Sequence, residues 1–337
     1  MEELYKVAAQ LVEGKKGILA ADESEQTIKK RFDAISVAST EETRREYREL
    51  LFTTPGIEEF ISGVILFDET IKQRSHAGIP FPELLLQKGI LPGIKVDKGT
   101  VVLTNFPNEK ATEGLDGLSD RLAEYKTLGA KFAKWRAVIT IGDGFPTQVA
   151  IDSNAYLLAR YAALCQSHGI VPIVEPEVLM DGSHTLEKCR EVTYATLKSV
   201  FMALSAHKVD IKGMLLKPNM VVSGLESGTK ATPSEVAETT TKVFALVLPD
   251  ELPGVVFLSG GQSPEDSTLH LNEVNKYAQM KWRVTFSFGR ALQDPVLKKW
   301  AGNPDNKADA QKAFLKRARL NSLASVGQYN PQMEQEQ

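Results

Sequence analysis

Eight short apolar runs, each followed by a longer segment of helix-like spacing, constrain this chain more than any other feature. In order they are GILAAD (17–22), GVILFD (63–68), LPGIKVD (91–97), AKFAKWRAVI (130–139), IVPIVEPEV (170–178), GMLLKPNMV (213–221), GVVFLSGG (254–261) and WRVTFSFGR (282–290). Runs of this length, rich in Val and Ile, read as buried strands. Between them lie amphipathic stretches such as Thr147 to His168, TLEKCREVTYATLKSVFMALSA and SPEDSTLHLNEVNKYA. After the first run both EETRREYRELL and GIEEFIS read as helical.

Strands alternating with helices of this size imply parallel pairing through right-handed crossovers. Eight such units close most simply into a (β/α)8 TIM barrel of the α/β class. An open doubly wound sheet is the competitor, usually marked by GxGxxG after its first strand, and GILAADESEQT has no such glycines. Extra helices are expected at both ends, the last within about 303–337 as an outer helix with a short tail. All of 1–337 is expected to form a single catalytic domain, because no linker or low-complexity segment interrupts it.

A net charge of −3, from 40 basic and 43 acidic residues, gives no electrostatic reason to expect nucleic acid or an anionic membrane as partner. Cys165 and Cys189 form no CxxC, so a disulfide framework is unexpected and a reducing compartment is the easier reading. The segment MEELYKVAAQLVEGKKG lacks the apolar core of a signal peptide, and no apolar run approaches the ~20 residues of a membrane span. The expectation is a soluble, cytoplasmic protein.

The chemical signal lies in where the charges fall. In a closed barrel the strand interior is packed, and reactive groups project at the C-terminal strand ends. Asp22 ends the first run and Asp68 the second. Lys95 and Asp97 share one face of the third, Lys134 and Arg136 one face of the fourth, and Glu175 and Glu177 one face of the fifth. Lys217 closes the sixth, Ser259-Gly260-Gly261 the seventh and Gly289-Arg290 the eighth. Taken singly, a charge at a strand end is at even odds or better simply where the chain meets water. Lys134, Glu175 and Lys217, however, sit in strongly apolar runs that a barrel would bring to one rim. There, opposite charges offset the desolvation that each suffers alone.

Burial and a neighbouring cation favour the neutral form of a lysine. A neutral amine attacks a carbonyl and forms an iminium, an electron sink for breaking the adjacent carbon–carbon bond. Lys217 suits that part, Lys134 supplies the neighbouring cation, Glu175 a carboxylate to move protons, and Asp22 a base for the hydroxyl being cleaved. Loops after strands seven and eight of this barrel class often hold phosphate. SGGQS offers glycine backbone N–H groups and a hydroxyl before a helix, and Arg290 adds a planar fork. On the opposite side Lys95, Ser24 and Arg31 offer anion contacts, although Arg31 within KKR also reads as a solvated helix-face residue. His76, His168, His184, His207 and His270 show no HxH or HxxxH pair, and no GxSxG occurs.

At this point GKKGILAADES, GIKVDKG, AKWR, IVPIVEPE, LLKPNM, FLSGGQS and FSFGRAL, taken together, resemble the class I, Schiff-base fructose-1,6-bisphosphate aldolases across nearly the whole chain. The resemblance implies reversible aldol cleavage of fructose 1,6-bisphosphate to dihydroxyacetone phosphate and glyceraldehyde 3-phosphate, in glycolysis and gluconeogenesis, with no metal cofactor. It implies a Schiff base on Lys217, Glu175 as main proton carrier with Glu177 beside it, Asp22 at the cleaved hydroxyl and Lys134 stabilising charge. Ser259, Gly260, Gly261, Ser287, Gly289 and Arg290, with Arg31, would hold one phosphate; Lys95 and Ser24 would meet the other, and Arg136 is a further substrate-binding candidate. A phosphorylated ketose is the implied partner and a homotetramer the implied assembly. This sequence departs from the family's pattern at Glu25, at Phe288 where tyrosine is common, and in a tail, QYNPQMEQEQ, without the terminal tyrosine of animal-type members. Enamine protonation is then expected to be slower or handled by another group. A related sugar substrate and a non-catalytic scaffold role are the alternatives, and the intact Asp22, Lys134, Glu175 and Lys217 set argues against the second.

Overall fold

A computed structural model describes residues 1–277 and 280–335. Its strands are β1 (Gly17–Ala21), β2 (Ile61–Leu66), β3 (Leu91–Lys95), β4 (Thr100–Val102), β5 (Lys110–Thr112), β6 (Phe132–Ile139), β7 (Val171–Val178), β8 (Leu215–Leu216), β9 (Gly254–Phe257) and β10 (Arg283–Phe288). Eight of them close into a barrel in the order β1-β10-β9-β8-β7-β6-β3-β2, and every barrel pairing is parallel. The fold is a TIM barrel, and each of the eight apolar runs supplies one of its strands.

Alternation along each strand separates an inner face from an outer one. Outward residues such as Trp135, Val174, Phe257 and Phe286 join the large apolar layer beneath the surrounding helices. Inward residues Ile18, Ala20, Ile65, Leu91, Phe132, Val171, Ile173, Leu215 and Val256 form a second cluster with Leu4, Val7, Leu11 and Val12. Those last four come from the helix Glu2–Leu11 and its C-cap, which close the N-terminal end of the barrel. The Phe132 ring takes the space of two side chains. A Cβ on Gly93 would lie 2.3 Å from it and one on Gly63 3.1 Å, so glycine on β2 and β3 is what admits the ring.

Two expectations are corrected. GIEEFIS is not a helix: Ile57–Glu59 makes one 3-10 turn and β2 begins at Ile61. Ile57, Phe60 and Ile61 mimic helical spacing, but pairing of Ile61 with Gly17 claims the segment for the barrel. The polar loop after the third run contains an antiparallel hairpin, β4 with β5. The helical pattern ending at Ala278 is a helix over Pro264–Tyr277, and its last residue lies outside the described residues. The C-terminal helix Lys307–Ala324 is followed by a 3-10 turn, Pro331–Gln335.

Prolines 172 and 176 stand inside β7, where a missing N–H would ordinarily break a ladder. Val171 N donates to Lys131 O and Leu179 N to Ile139 O, so the odd-numbered amides face β6. The even-numbered positions, both prolines among them, face β8, whose strand is only two residues long. Pro218 ends that strand, and the Asn219 side chain replaces the ladder by accepting a bond from Val178 N at 3.0 Å. The sequence pattern suggested a longer sixth strand. Its shortness places Lys217 on the rim immediately after the turn of the chain.

Candidate active site

Barrel geometry carries the reactive groups upward from the apolar interior. On β7 the inward series is Val171, Ile173, Glu175, Glu177, and on β6 it is Phe132, Lys134, Arg136. Register aligns Lys95 with Lys134 and Arg136 with Glu175. Four of these side chains meet. Lys134 Nζ lies 2.6 Å from Asp22 Oδ2 and 3.2 Å from Glu175 Oε2, and Lys217 Nζ lies 3.1 Å from Glu175 Oε1. Lys134, Glu175 and Lys217 are each only 3–4 % exposed. Two lysines and two carboxylic groups share this space, so each buried ionisable side chain has a partner of the opposite kind.

The electrostatics assign different tasks within the quartet. Burial acts against the charge of Lys134, but Asp22 and then Glu175 hold its ammonium well above the ordinary lysine value, so it stays a cation. Burial likewise acts against Asp22, and Lys134 followed by Lys217 holds its carboxyl well below the usual range. Glu175 bridges both lysines, yet its Oε2 has no aligned hydrogen-bond donor among the described residues despite the close ammonium. A carboxylate oxygen in that position is available to a proton on a bound molecule.

Around the quartet lie two polar groups on opposite sides of the mouth. Counting around the barrel, β3 and β9 are four strands apart in a ring of eight, and so face each other. On the β3 side a cleft of about 900 Å³ is lined by Ser24, Thr27, Lys95, Lys98, Arg121 and Arg136, together with Glu25. Lys95 Nζ is 2.7 Å from Asp97 Oδ1. Ser24 caps the helix Glu25–Asp33, its hydroxyl accepting from Thr27 N. Arg136 is paired with Glu177, which keeps its guanidinium charged against burial.

On the β9 side Ser259-Gly260-Gly261 follows the strand and precedes the helix Pro264–Tyr277. Gly260 and Gly261 have φ of 47° and 92°, the left-handed region that glycine adopts without strain. A Cβ at Gly260 would be 3.5 Å from Glu177 Oε1, and one at Gly261 3.8 Å from Arg290 Nη2, so the turn sits between β7 and the start of the helix Arg290–Trp300. Ser287 Oγ is buried with no partner among the described residues. A Cβ at Gly289 would lie 3.4 Å from Ala20 O, so this turn sits against the end of β1. Phe288 points away from the mouth and packs on Phe286 at 5.6 Å between ring centres, so its lack of a hydroxyl touches nothing in the site.

Arg31 is not simply a solvated helix-face residue: its guanidinium, still partly exposed, pairs with Glu23 rather than reaching the glycine turn. Glu23, Arg48, Gln293, Asp97 and Asn219 are polar groups at or beside the mouth to which the sequence patterns assigned no role. Among the described residues no group of His, Cys, Asp and Glu is arranged to hold a metal ion, and both cysteines are buried and free. No helix of the described residues is long and apolar enough to cross a membrane.

A barrel whose C-terminal mouth buries a lysine–carboxylate quartet between two anion-receptive groups defines a class of Schiff-base lyases. The family model described as fructose-bisphosphate aldolase class-I matches residues 3–337. A probable class 1 fructose-bisphosphate aldolase of Xanthomonas axonopodis pv. citri is 52% identical over 330 residues, covering 98% of this chain and 99% of that one. A cytosolic fructose-bisphosphate aldolase of Arabidopsis thaliana is 53% identical over 328 residues, covering 97% and 84%. The solved structure of fructose-bisphosphate aldolase from Plasmodium falciparum superposes with a TM-score of 0.96 at 51% identity, covering 98% of this chain and 95% of that one. The chain belongs to the class I fructose-bisphosphate aldolase family.

Proposed function

We propose that Lys217 is the Schiff-base residue of this aldolase and that Glu175, Asp22 and Lys134 carry its proton and charge movements. The protein is a lyase that cleaves fructose 1,6-bisphosphate through the Schiff base general to its class. The observation that supports the assignment is the convergence of Lys217, Glu175, Lys134 and Asp22 from four strands onto one buried quartet.

The amine of Lys217 adds to the C2 carbonyl of the open-chain ketose. Glu175, in reach of that nitrogen, moves the proton that lets the carbinolamine lose water and become an iminium. Asp22, kept ionised beside Lys134, takes the proton of the C4 hydroxyl. The C3–C4 bond then breaks, its electrons pass into the iminium, and glyceraldehyde 3-phosphate departs. Protonation of the remaining enamine at C3 and hydrolysis release dihydroxyacetone phosphate and restore Lys217. Lys134 serves as fixed positive charge, because its two carboxylate neighbours keep it from giving up its proton. Glu177 holds Arg136 toward the cleft.

Placement of the two anion-receptive groups across the mouth suits a substrate with a phosphate at each end. Gly260, Gly261, Arg290, Ser259, Ser287 and Gly289, with Arg31, take the phosphate on the ketone half; Lys95, Ser24 and Arg136 receive the aldehyde half. The chain acts as one catalytic unit without a metal, in the cytoplasm and as a homotetramer on this reading. Steady-state cleavage after exhaustive dialysis against a chelator tests it. Turnover of fructose 1,6-bisphosphate is expected to be unchanged, with kcat/KM above that for fructose 1-phosphate. Loss of turnover that returns with a divalent metal would contradict the reading.

A further inference from the structure

Glu23, next in sequence to Asp22, is a buried carboxylate shared by two arginines. Its Oε2 lies 2.5 Å from Arg48 Nη2, and its Oε1 accepts from Arg31 Nη1 and, at 2.8 Å, from Gln293 Nε2. Gln293 also donates to Ala20 O at 2.7 Å and receives a longer bond of 3.4 Å from Arg48. The two guanidiniums are not equivalent. Arg48 is 3 % exposed and lies over the Tyr47 ring at 5.7 Å, whereas the Arg31 side chain is 20 % exposed. One carboxylate is shared by two permanent cations, and the more exposed of its arginines is the one able to turn outward.

The same group is tied to the phosphate-side helix. Gln293 lies one turn after Arg290 on the helix Arg290–Trp300, and Arg290 Nη2 is near Gly261. Asp294, its neighbour, has its carboxyl raised by burial, against which the charges of Arg31 and Arg290 act. If Arg31 leaves Glu23 for a phosphate, Glu23 keeps Arg48 and Gln293, and no buried charge is orphaned. That matters because stripping a buried carboxylate of its last partner costs several kcal/mol.

We infer that Glu23 is a positioning residue for substrate phosphate: with Arg48 and Gln293 it holds Arg31 at the mouth, from where Arg31 passes to the phosphate beside Arg290. This rests on the assignment of Arg31 to that phosphate. Without Glu23 the flexible Arg31 spends its time in other rotamers and the site loses affinity rather than chemistry. The interaction is charge-assisted, so the isosteric amide weakens it without changing shape.

Steady-state kinetics of Glu23→Gln, Arg31→Ala and the double variant test this, with inorganic phosphate as competitive inhibitor. Arg31→Ala is expected to raise KM for fructose 1,6-bisphosphate and Ki for phosphate about tenfold or more, and Glu23→Gln by roughly three- to tenfold, with its kcat within about twofold. In the double variant the loss should equal that of Arg31→Ala alone, because both act through one contact. Gln293→Leu, which alters no charge, provides a second variant should Glu23→Gln fold poorly; it is expected to raise KM roughly two- to threefold, and not at all on the Arg31→Ala background. An unchanged KM in Glu23→Gln and in Gln293→Leu, a fall in kcat at constant KM, or independent effects in the double variant would overturn the inference while leaving Arg31 a phosphate ligand. An unchanged KM in Arg31→Ala would instead overturn the assignment of Arg31 itself, and the inference with it.

Discussion

The two ends of this barrel are built from the same strands by the same alternation and do opposite things. At the N-terminal end the inward positions Ile18, Leu91, Phe132, Val171 and Leu215 pack against Leu4, Val7 and Leu11 in one buried apolar cluster. Two residues further along the same faces stand Lys134 and Lys217, and Lys95 and Glu175 lie four beyond Leu91 and Val171. The lower layer gains stability from burial, at roughly 1.5–3 kcal/mol for each large apolar side chain. The upper layer gives some of that up by burying four ionisable groups that need one another. Stability and chemistry are thus stacked along the strands rather than assigned to separate elements.

This contrast predicts that substitutions at the two ends fail in different measurements. Lys217→Met should have the largest effect, lowering kcat about ten-thousand-fold or more, since no other amine is placed to form the iminium. Its Tm should stay close to that of the parent, because Glu175 keeps Lys134 as partner. Retention of parental turnover would break the assignment. At the other end, Leu11→Ala should cost about 2–5 kcal/mol of stability through the cavity it leaves, seen as a lower denaturation midpoint. Its kcat at 25 °C should match the parent, and a large fall in kcat would show that the two layers are not separable.

A smaller effect concerns pH. The Asp22 carboxyl is held below its ordinary range in the folded chain, so ionised Asp22 stabilises the fold. That contribution is fully present above the unfolded value of about 3.9 and is lost as pH falls through the depressed folded value. Asp22→Asn should therefore lie below the parent in Tm at about pH 6 and above, with the gap narrowing as pH is lowered toward ~3. A gap that widens on acidification would contradict the role given to Lys134 as its partner.

Much of this contrast was legible in the sequence. Apolar runs with a charge at the end are local patterns, and the period of two puts Val171, Ile173, Glu175 and Glu177 on one face before any coordinates are seen. The hairpin of β4 and β5 was not legible: Val101 and Val102 are exposed and each strand is three residues long, too short to register as a period. GIEEFIS misled because three apolar residues at helical spacing say nothing about the pairing with Gly17 that overrides them. The Glu23 group was hidden for a different reason. Arg48 lies 25 residues from Glu23 and Gln293 270 residues away, so only the closed barrel brings them together. Asn219 was overlooked because its work is to finish a ladder that Pro218 interrupts, which becomes visible only once β8 is known to be short.

The central claim is that one buried amine, that of Lys217, captures the ketone. Borohydride reduction in the presence of dihydroxyacetone phosphate, followed by peptide mass mapping, tests it most directly. The account predicts a single stable adduct on the peptide containing Lys217, absent from Lys217→Met. An adduct on Lys134, or none while the enzyme turns over, would contradict it.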